Sequence, residues 1–236
     1  GESLMDLLRA LDRVSGVRFR ISSIEPNLLT DETIDFIAES DSFHPHFHLP
    51  LQSGDDYVLG RMRRRYRSAL YRDRVERILA LMPDACIGAD VIVGFPAETE
   101  AHFENSRAFL ADLPVSYLHV FTYSERENAP IARSSRAPES VVPTSERNRR
   151  NGLLRDLSRR KRRAFYETQI GSVREVLWER PDESGNQFGY TDNYVRLRRP
   201  ADPARHGAVE RVRLGGFMGE GVLLAEEAEC AGTLVR

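Results

Sequence analysis

An α/β fold with a parallel sheet, followed by a small antiparallel β-barrel, is what this 236-residue sequence predicts. Through the first half, helical and strand periodicities alternate, and such alternation builds a parallel sheet with right-handed crossovers. The run Ile87-Gly88-Ala89-Asp90-Val91-Ile92-Val93-Gly94-Phe95-Pro96-Ala97-Glu98-Thr99 reads as a buried parallel strand emptying into a βα loop, the place where α/β barrels put their chemistry. After Gly171 only short β-like runs separated by Gly and Asn remain, the pattern of an antiparallel, OB-like barrel of about 60 residues.

The elements follow in order. Ser3 caps a helix to about Ser15, with Leu4, Leu7, Leu8, Leu11 and Val14 at helical spacing, and Gly16 ends it. Val17 to Ser22 alternates as a strand, Glu25-Pro26-Asn27 turns, and Thr30 opens a helix to about Ser40. Phe47 to Leu51 is a short strand. Helices are expected over 55–64, from Ser68 to Met82 and from Glu98 to Leu113, and a strand over Ser116–Tyr123. Residues 124–143 form a Pro/Ser/Arg loop, and 144–167 a long charged helix. The later strands are Val173–Glu179, Tyr194–Leu197, Val209–Leu214 and Gly221–Ala225. Three units result: a partial barrel over 1–143, a linking helix over 144–167 and a small β-barrel over 168–236. Four parallel strands are too few to close a barrel, and the chain starts on a helix at Gly1, so it reads as part of a longer protein. Such a half-barrel has two open edges and an uncovered inner face.

Composition bounds the function. A hydrophobic fraction of 41% with 30% charged residues is that of a globular chain. No apolar run is long enough to span a membrane, and no leader sequence is expected. Cys86 and Cys230 are too far apart for a disulfide framework or a metal spacing, a usage that fits a reducing cytoplasm. The net charge of −2 hides segregation: positive charge gathers at 61–74 and 147–163, negative at 220–229. Lys161 is the single lysine; the other cations are arginines, whose forks match phosphates and stack on bases.

Several segments carry possible chemistry, each with a plainer reading beside it. Asp90 sits inside an apolar strand and needs a partner or a ligand; Gly88 and Gly94 permit close approach to the backbone. Ser23 and Glu25 end a strand with groups that suit ribose hydroxyls or an ammonium, or that simply cap and turn. His44, His46 and His48 alternate and share one face, a pattern of metal ligands or of lining histidines; only Asp90 and His119 could complete such a site, and no metal is expected. Gln52-Ser53-Gly54 sets an amide, a hydroxyl and a Gly past a strand end. Arg61 to Arg67 packs five arginines into seven residues around Tyr66, an anion grip or a solvated helix face. The 147–163 helix carries Arg159, Arg160 and Arg163 among its cations, and borders nucleic acid or bridges through solvent.

Five blocks, ISSIEP (21–26), HLPLQSG (48–54), MRRRY (62–66), DVIVGFPAET (90–99) and HVFTYSER (119–126), resemble the radical SAM methylthiotransferases. The segment 168–229, with Gly189-Tyr190-Thr191 and Asn193-Tyr194, is similar to the TRAM domain that ends such enzymes. Tyr-Ser-Glu-Arg looks most like the branch acting on threonylcarbamoyladenosine beside the anticodon, with the isopentenyladenosine and ribosomal-protein branches as alternatives. The resemblance implies a six-stranded barrel, of which this chain holds strands three to six, and two 4Fe–4S clusters. One cleaves S-adenosylmethionine to a radical; the second supports sulfur insertion, and a further S-adenosylmethionine supplies the methyl group placed on C2 of the adenosine. The cysteine triplet for the first cluster and the domain for the second are outside this sequence, so the chain alone is expected to be inactive. The resemblance further implies a cofactor pocket lined by Ser23, Glu25, Gln52, Arg63, Asp90 and Gly94. It also implies tRNA contacts at Arg126, Arg159, Arg160, Arg163, Arg174, Tyr190 and Arg196. Local departures are His44 where Cys is frequent, Ala97 where Gly is usual and Ala129 where Thr is usual. A stand-alone RNA-binding module and a metallohydrolase with zinc on His44, His46 and His48 are the competing readings.

Overall fold

The computed structural model describes residues 3–125 and 141–227. Ser3 and Asp6 close a capping box that starts α1 (Leu4–Asp12), and β1 (Phe19–Ile21) follows. Thr30 accepts the Thr33 amide and caps α2 (Asp31–Glu39), which leads into β2 (Phe43–Gln52). Asp55 caps α3 (Asp56–Arg61); α4 (Ser68–Leu81) has no side-chain cap, and β3 (Cys86–Val93) comes next. Thr99 caps α5 (Glu100–Asp112) before β4 (Tyr117–Thr122). The four strands form one sheet in the order β1-β2-β3-β4, every neighbour parallel, as the alternation predicts.

Two strands differ from expectation for physical reasons. β2 is longer because its prolines, which mask a central strand in sequence, coincide with slips in pairing. The β1 register shifts across the interval facing Pro45, and the β3 register shifts between Pro50 and Gln52. On β3 one face is fully buried under the helices, while on the other Cys86 and Gly88 are buried and Asp90 and Ile92 half-buried. Ile87, Ala89, Val91 and Val93 join Phe47, Leu49 and Leu51 in the core beneath α2, α4 and α5. The opposite face carries His46, His48, Gly88, Asp90, Tyr117 and His119.

The long helix α6 (Thr144–Gln169) is not a free linker. Leu154 and Leu157 enter the sheet's core, and Ser158 accepts the Leu118 amide at 2.9 Å while donating to its carbonyl at 2.8 Å. Asn151 donates to the Val120 carbonyl at 3.2 Å. These bonds cover the edge of β4, so that edge is not open as expected.

Beyond α6, β5 (Val173–Trp178), β6 (Asn186–Thr191), β7 (Arg196–Pro200), β8 (Val209–Phe217) and β9 (Leu223–Glu227) close a barrel in the order β5-β6-β7-β9-β8. Contrary to the antiparallel expectation, β7 and β9 run parallel. β6 escapes sequence reading because Gly189 looks like a breaker. Its missing side chain instead admits Val176 and Trp178, where a Cβ would overlap both. Tyr194 belongs to the β6–β7 turn, not to a strand, with a left-handed φ of 66°.

Candidate functional site

The cavity face of the sheet looks across a space of about 820 Å³ toward α6 and the barrel, so the inner face expected to be bare is partnered. Turn residues of the barrel lock the two sides together. Asn193, fully buried, donates to the Asp84 carbonyl and to Gln169, each at 2.9 Å. His44 donates to the Asp192 carbonyl at 3.0 Å. Arg174 pairs with Asp84 at 2.7 Å and Asp192 at 2.9 Å. Tyr194 stacks on Tyr190, with ring centroids 4.7 Å apart, and meets the His46 ring tilted at 4.6 Å.

Six arginines line the cavity (Arg20, Arg159, Arg160, Arg162, Arg163, Arg196) against one acid, Glu220. Four of them lie over aromatic rings: Arg20 on Tyr194 at 4.2 Å, Arg196 on Phe188 at 4.3 Å, Arg163 on Phe217 at 4.6 Å and Arg162 on Tyr117 at 5.5 Å. Stacking fixes each guanidinium plane and leaves N–H groups for an anion, with Arg163 already giving its Nε–H to Glu167 at 2.9 Å. The result is a concave, positively charged, aromatic wall.

The floor is built by alternation on β2, β3 and β4. His48 Nε2 lies 2.7 Å and His119 Nδ1 3.3 Å from Asp90 Oδ1. Burial opposes the Asp90 charge, but bonds from His119 and His48 outweigh it and hold the carboxyl well below the usual range. His46 meets the Tyr117 hydroxyl at 3.1 Å; burial, with Arg20 and His48 adding to it, pushes its imidazole down to about 3. Burial pushes the Cys86 thiol up to about 12.

Of the expected cofactor residues, Ser23 lines this cavity, and Asp90 lies behind its floor, bonded to the lining His48. Others are drawn elsewhere. Glu25 pairs with Arg64 at 2.7 Å. Gln52 is buried with a φ of 71°, and Arg63 is exposed on the turn after α3 with a φ of 57°. Gly94 is not open to a ligand: its amide donates to Glu98 at 2.9 Å, and a Cβ there would overlap Arg147. Gly54 likewise admits Phe109, not a substrate.

Of the expected RNA residues, Arg159, Arg160, Arg163, Tyr190 and Arg196 share the cavity wall. Arg174 does not; it is half-buried in the contact between barrel and sheet, where two carboxylates compensate its charge. Arg126, Ala129 and Cys230 lie outside the described residues. Sequence reasoning missed Arg20, Tyr117 and Phe217, whose signal is only their alternation within strands.

Residues 2–110 match the profile of the radical SAM superfamily. The chain belongs to that superfamily. It is 37% identical over 181 residues to the threonylcarbamoyladenosine tRNA methylthiotransferase MtaB of Rickettsia prowazekii, covering 77% of this chain and 41% of the relative. It is 39% identical over 208 residues to MtaB of Bacillus subtilis, covering 84% and 45%. It is also 38% identical over 232 residues to a tRNA-2-methylthio-N(6)-dimethylallyladenosine synthase of Anaeromyxobacter sp. (strain K), covering 94% and 50%. The chain thus spans between 41% and 50% of these relatives.

Radical SAM membership implies S-adenosylmethionine and an iron–sulfur cluster. The described residues do not fit the cluster: their one cysteine, Cys86, is buried and holds its proton, whereas ligation takes several thiolates. Among the described residues no helix is long and apolar enough to cross a membrane.

Proposed function

We propose that this chain is the RNA-engaging part of a tRNA methylthiotransferase that adds a methylthio group to C2 of a modified adenosine beside the anticodon. The relatives named for that reaction support it, and the cavity's six ring-stacked or rim arginines carry it. Both tRNA branches stand at similar identity; the Tyr123-Ser124-Glu125 stretch favours threonylcarbamoyladenosine as the base. In this reading residues 168–227 act as a TRAM-like barrel, and a cytoplasmic location follows from the tRNA substrate.

When bound, S-adenosylmethionine supplies the radical and the methyl group; Ser23 is the residue on the cavity side to meet it, Asp90 being held by His48 and His119. The remaining work is binding and orientation. Arg160, Arg163 and Arg196 neutralise phosphates, Tyr190 offers a ring to a base, and barrel and α6 exclude water from the floor. Chemistry at the cluster requires residues beyond those described, so the chain by itself should bind and not react.

The test is tRNA binding by the 236-residue chain at several salt concentrations between ~50 and ~200 mM. Arg160→Ala, Arg163→Ala and Arg196→Ala should each lower the slope of log K against log salt by about one. Unchanged slopes and affinities would remove the RNA role. A stand-alone binding module makes the same contacts; an open reading frame with no cysteine triplet ahead of these residues would favour it over the enzyme.

A further inference from the structure

RNA recognition leaves the cavity floor unexplained. His48, Asp90 and His119 come from three neighbouring strands and project to one face. Each offers one ligand atom, and the three atoms lie within 4.8 Å of one another. The other histidines of the alternating run are taken, His44 by the Asp192 carbonyl and His46 by Tyr117. A zinc site on His44, His46 and His48 is therefore not what the strand builds.

We propose instead that His48, Asp90 and His119 form a site for one divalent transition metal, zinc by its donor set, with a fourth position open to the cavity. This goes beyond the RNA reading and does not depend on it. Two imidazoles and a carboxylate with an open position are the donor set of reactive zinc centres. Ligands about 2.0–2.1 Å from a tetrahedral metal stand about 3.3 Å apart. His119 Nδ1 and Asp90 Oδ1 already stand at 3.3 Å; His48 Nε2, at 2.7 Å, needs to withdraw by about 0.6 Å. In the metal-free protein an imidazole proton bridges to the carboxylate, and a metal takes the place of that proton.

The arginines around the cavity oppose a cation, so their position decides the matter. None pairs with Asp90: among the described residues its side-chain partners are the two histidines alone. The arginine field then favours an anion, hydroxide or a phosphate oxygen, in the fourth position.

Titration of the tag-free chain with Co(II), followed by Zn(II) displacement, tests this. One equivalent should give the visible absorption of four-coordinate cobalt, lost on adding zinc. His119→Ala, at a side chain 45% exposed and so compatible with folding, should weaken binding at least the ~10-fold that loss of even an outer-shell partner costs. Asp90→Asn should do the same, while His206→Ala, on the barrel's surface, should bind as the parent does. Absence of the band, or equal affinity in parent and His119→Ala, would overturn the site whatever the outcome with tRNA.

Discussion

Arg150→Ala probes the ion pair that pins the Gly94–Thr99 loop to α6. Arg150 is 4% and Glu98 2% exposed at their side chains, and their charged atoms meet at 2.6 Å. Arg150 also donates to the Glu98 carbonyl at 3.0 Å, to Glu146 at 2.7 Å and to Glu100 at 3.1 Å. Truncation leaves the Glu98 carboxylate buried with only the Gly94 amide, at 2.9 Å, to hold it. Breaking a buried pair from one side costs about 3–5 kcal/mol. With a urea m-value of about 3 kcal/mol/M the midpoint should fall by about 1–2 M, read by circular dichroism. The loss should also depend on pH. Burial already raises the Glu98 carboxyl above its ordinary 4.5, and without Arg150 it rises further. The folded state then holds a proton that the unfolded state releases, so stability falls as pH climbs from 4.5 through the raised folded value. Acidification should rescue the variant, and Glu98→Gln in the same background should abolish the pH dependence. A cost below about 1 kcal/mol, the range of an exposed pair, or a pH-independent cost would refute the buried-pair account.

Gly88→Ala should destabilise by at least about 1–3 kcal/mol, because the new Cβ would overlap the Tyr117 ring; an unshifted melting temperature would contradict that packing. Ala97→Gly should stabilise by about 0.5–1 kcal/mol, since its φ of 70° strains any residue with a Cβ and the relief exceeds the chain entropy lost. Urea midpoints decide it, and a destabilised variant would reject the strain. Asn193→Ala removes bonds to Asp84 and Gln169 and should cost about 1–3 kcal/mol. Trp178, the chain's one tryptophan and buried in the barrel, reports the loss as an earlier fluorescence transition.

Much of the first half is legible because local signals agree with the fold. Thr30 and Thr99 cap the helices they precede, and Ile87, Ala89, Val91 and Val93 of β3 fall on one face as period two requires. The candidate site is legible only in part. The Arg159–Arg163 stretch reaches the cavity as its charge suggests, whereas Arg174, equally basic in sequence, is consumed by Asp84 and Asp192. Glycines mislead most: Gly54, Gly94 and Gly189 look like openings for ligands or breaks in strands, yet each is filled by a neighbouring side chain.

The sequence by itself determined the parallel α/β order, the strand emptying at Gly94, and the lack of a cysteine set for a cluster, since these depend on period, spacing and residue type. Only the tertiary structure decided that Asp90 belongs to His48 and His119, that β7 and β9 pair in parallel, and that the barrel closes over the sheet through Asn193 and Arg174. Those choices are contacts between residues distant in the chain, and no local pattern encodes which partner a buried charge or an unpaired edge will find.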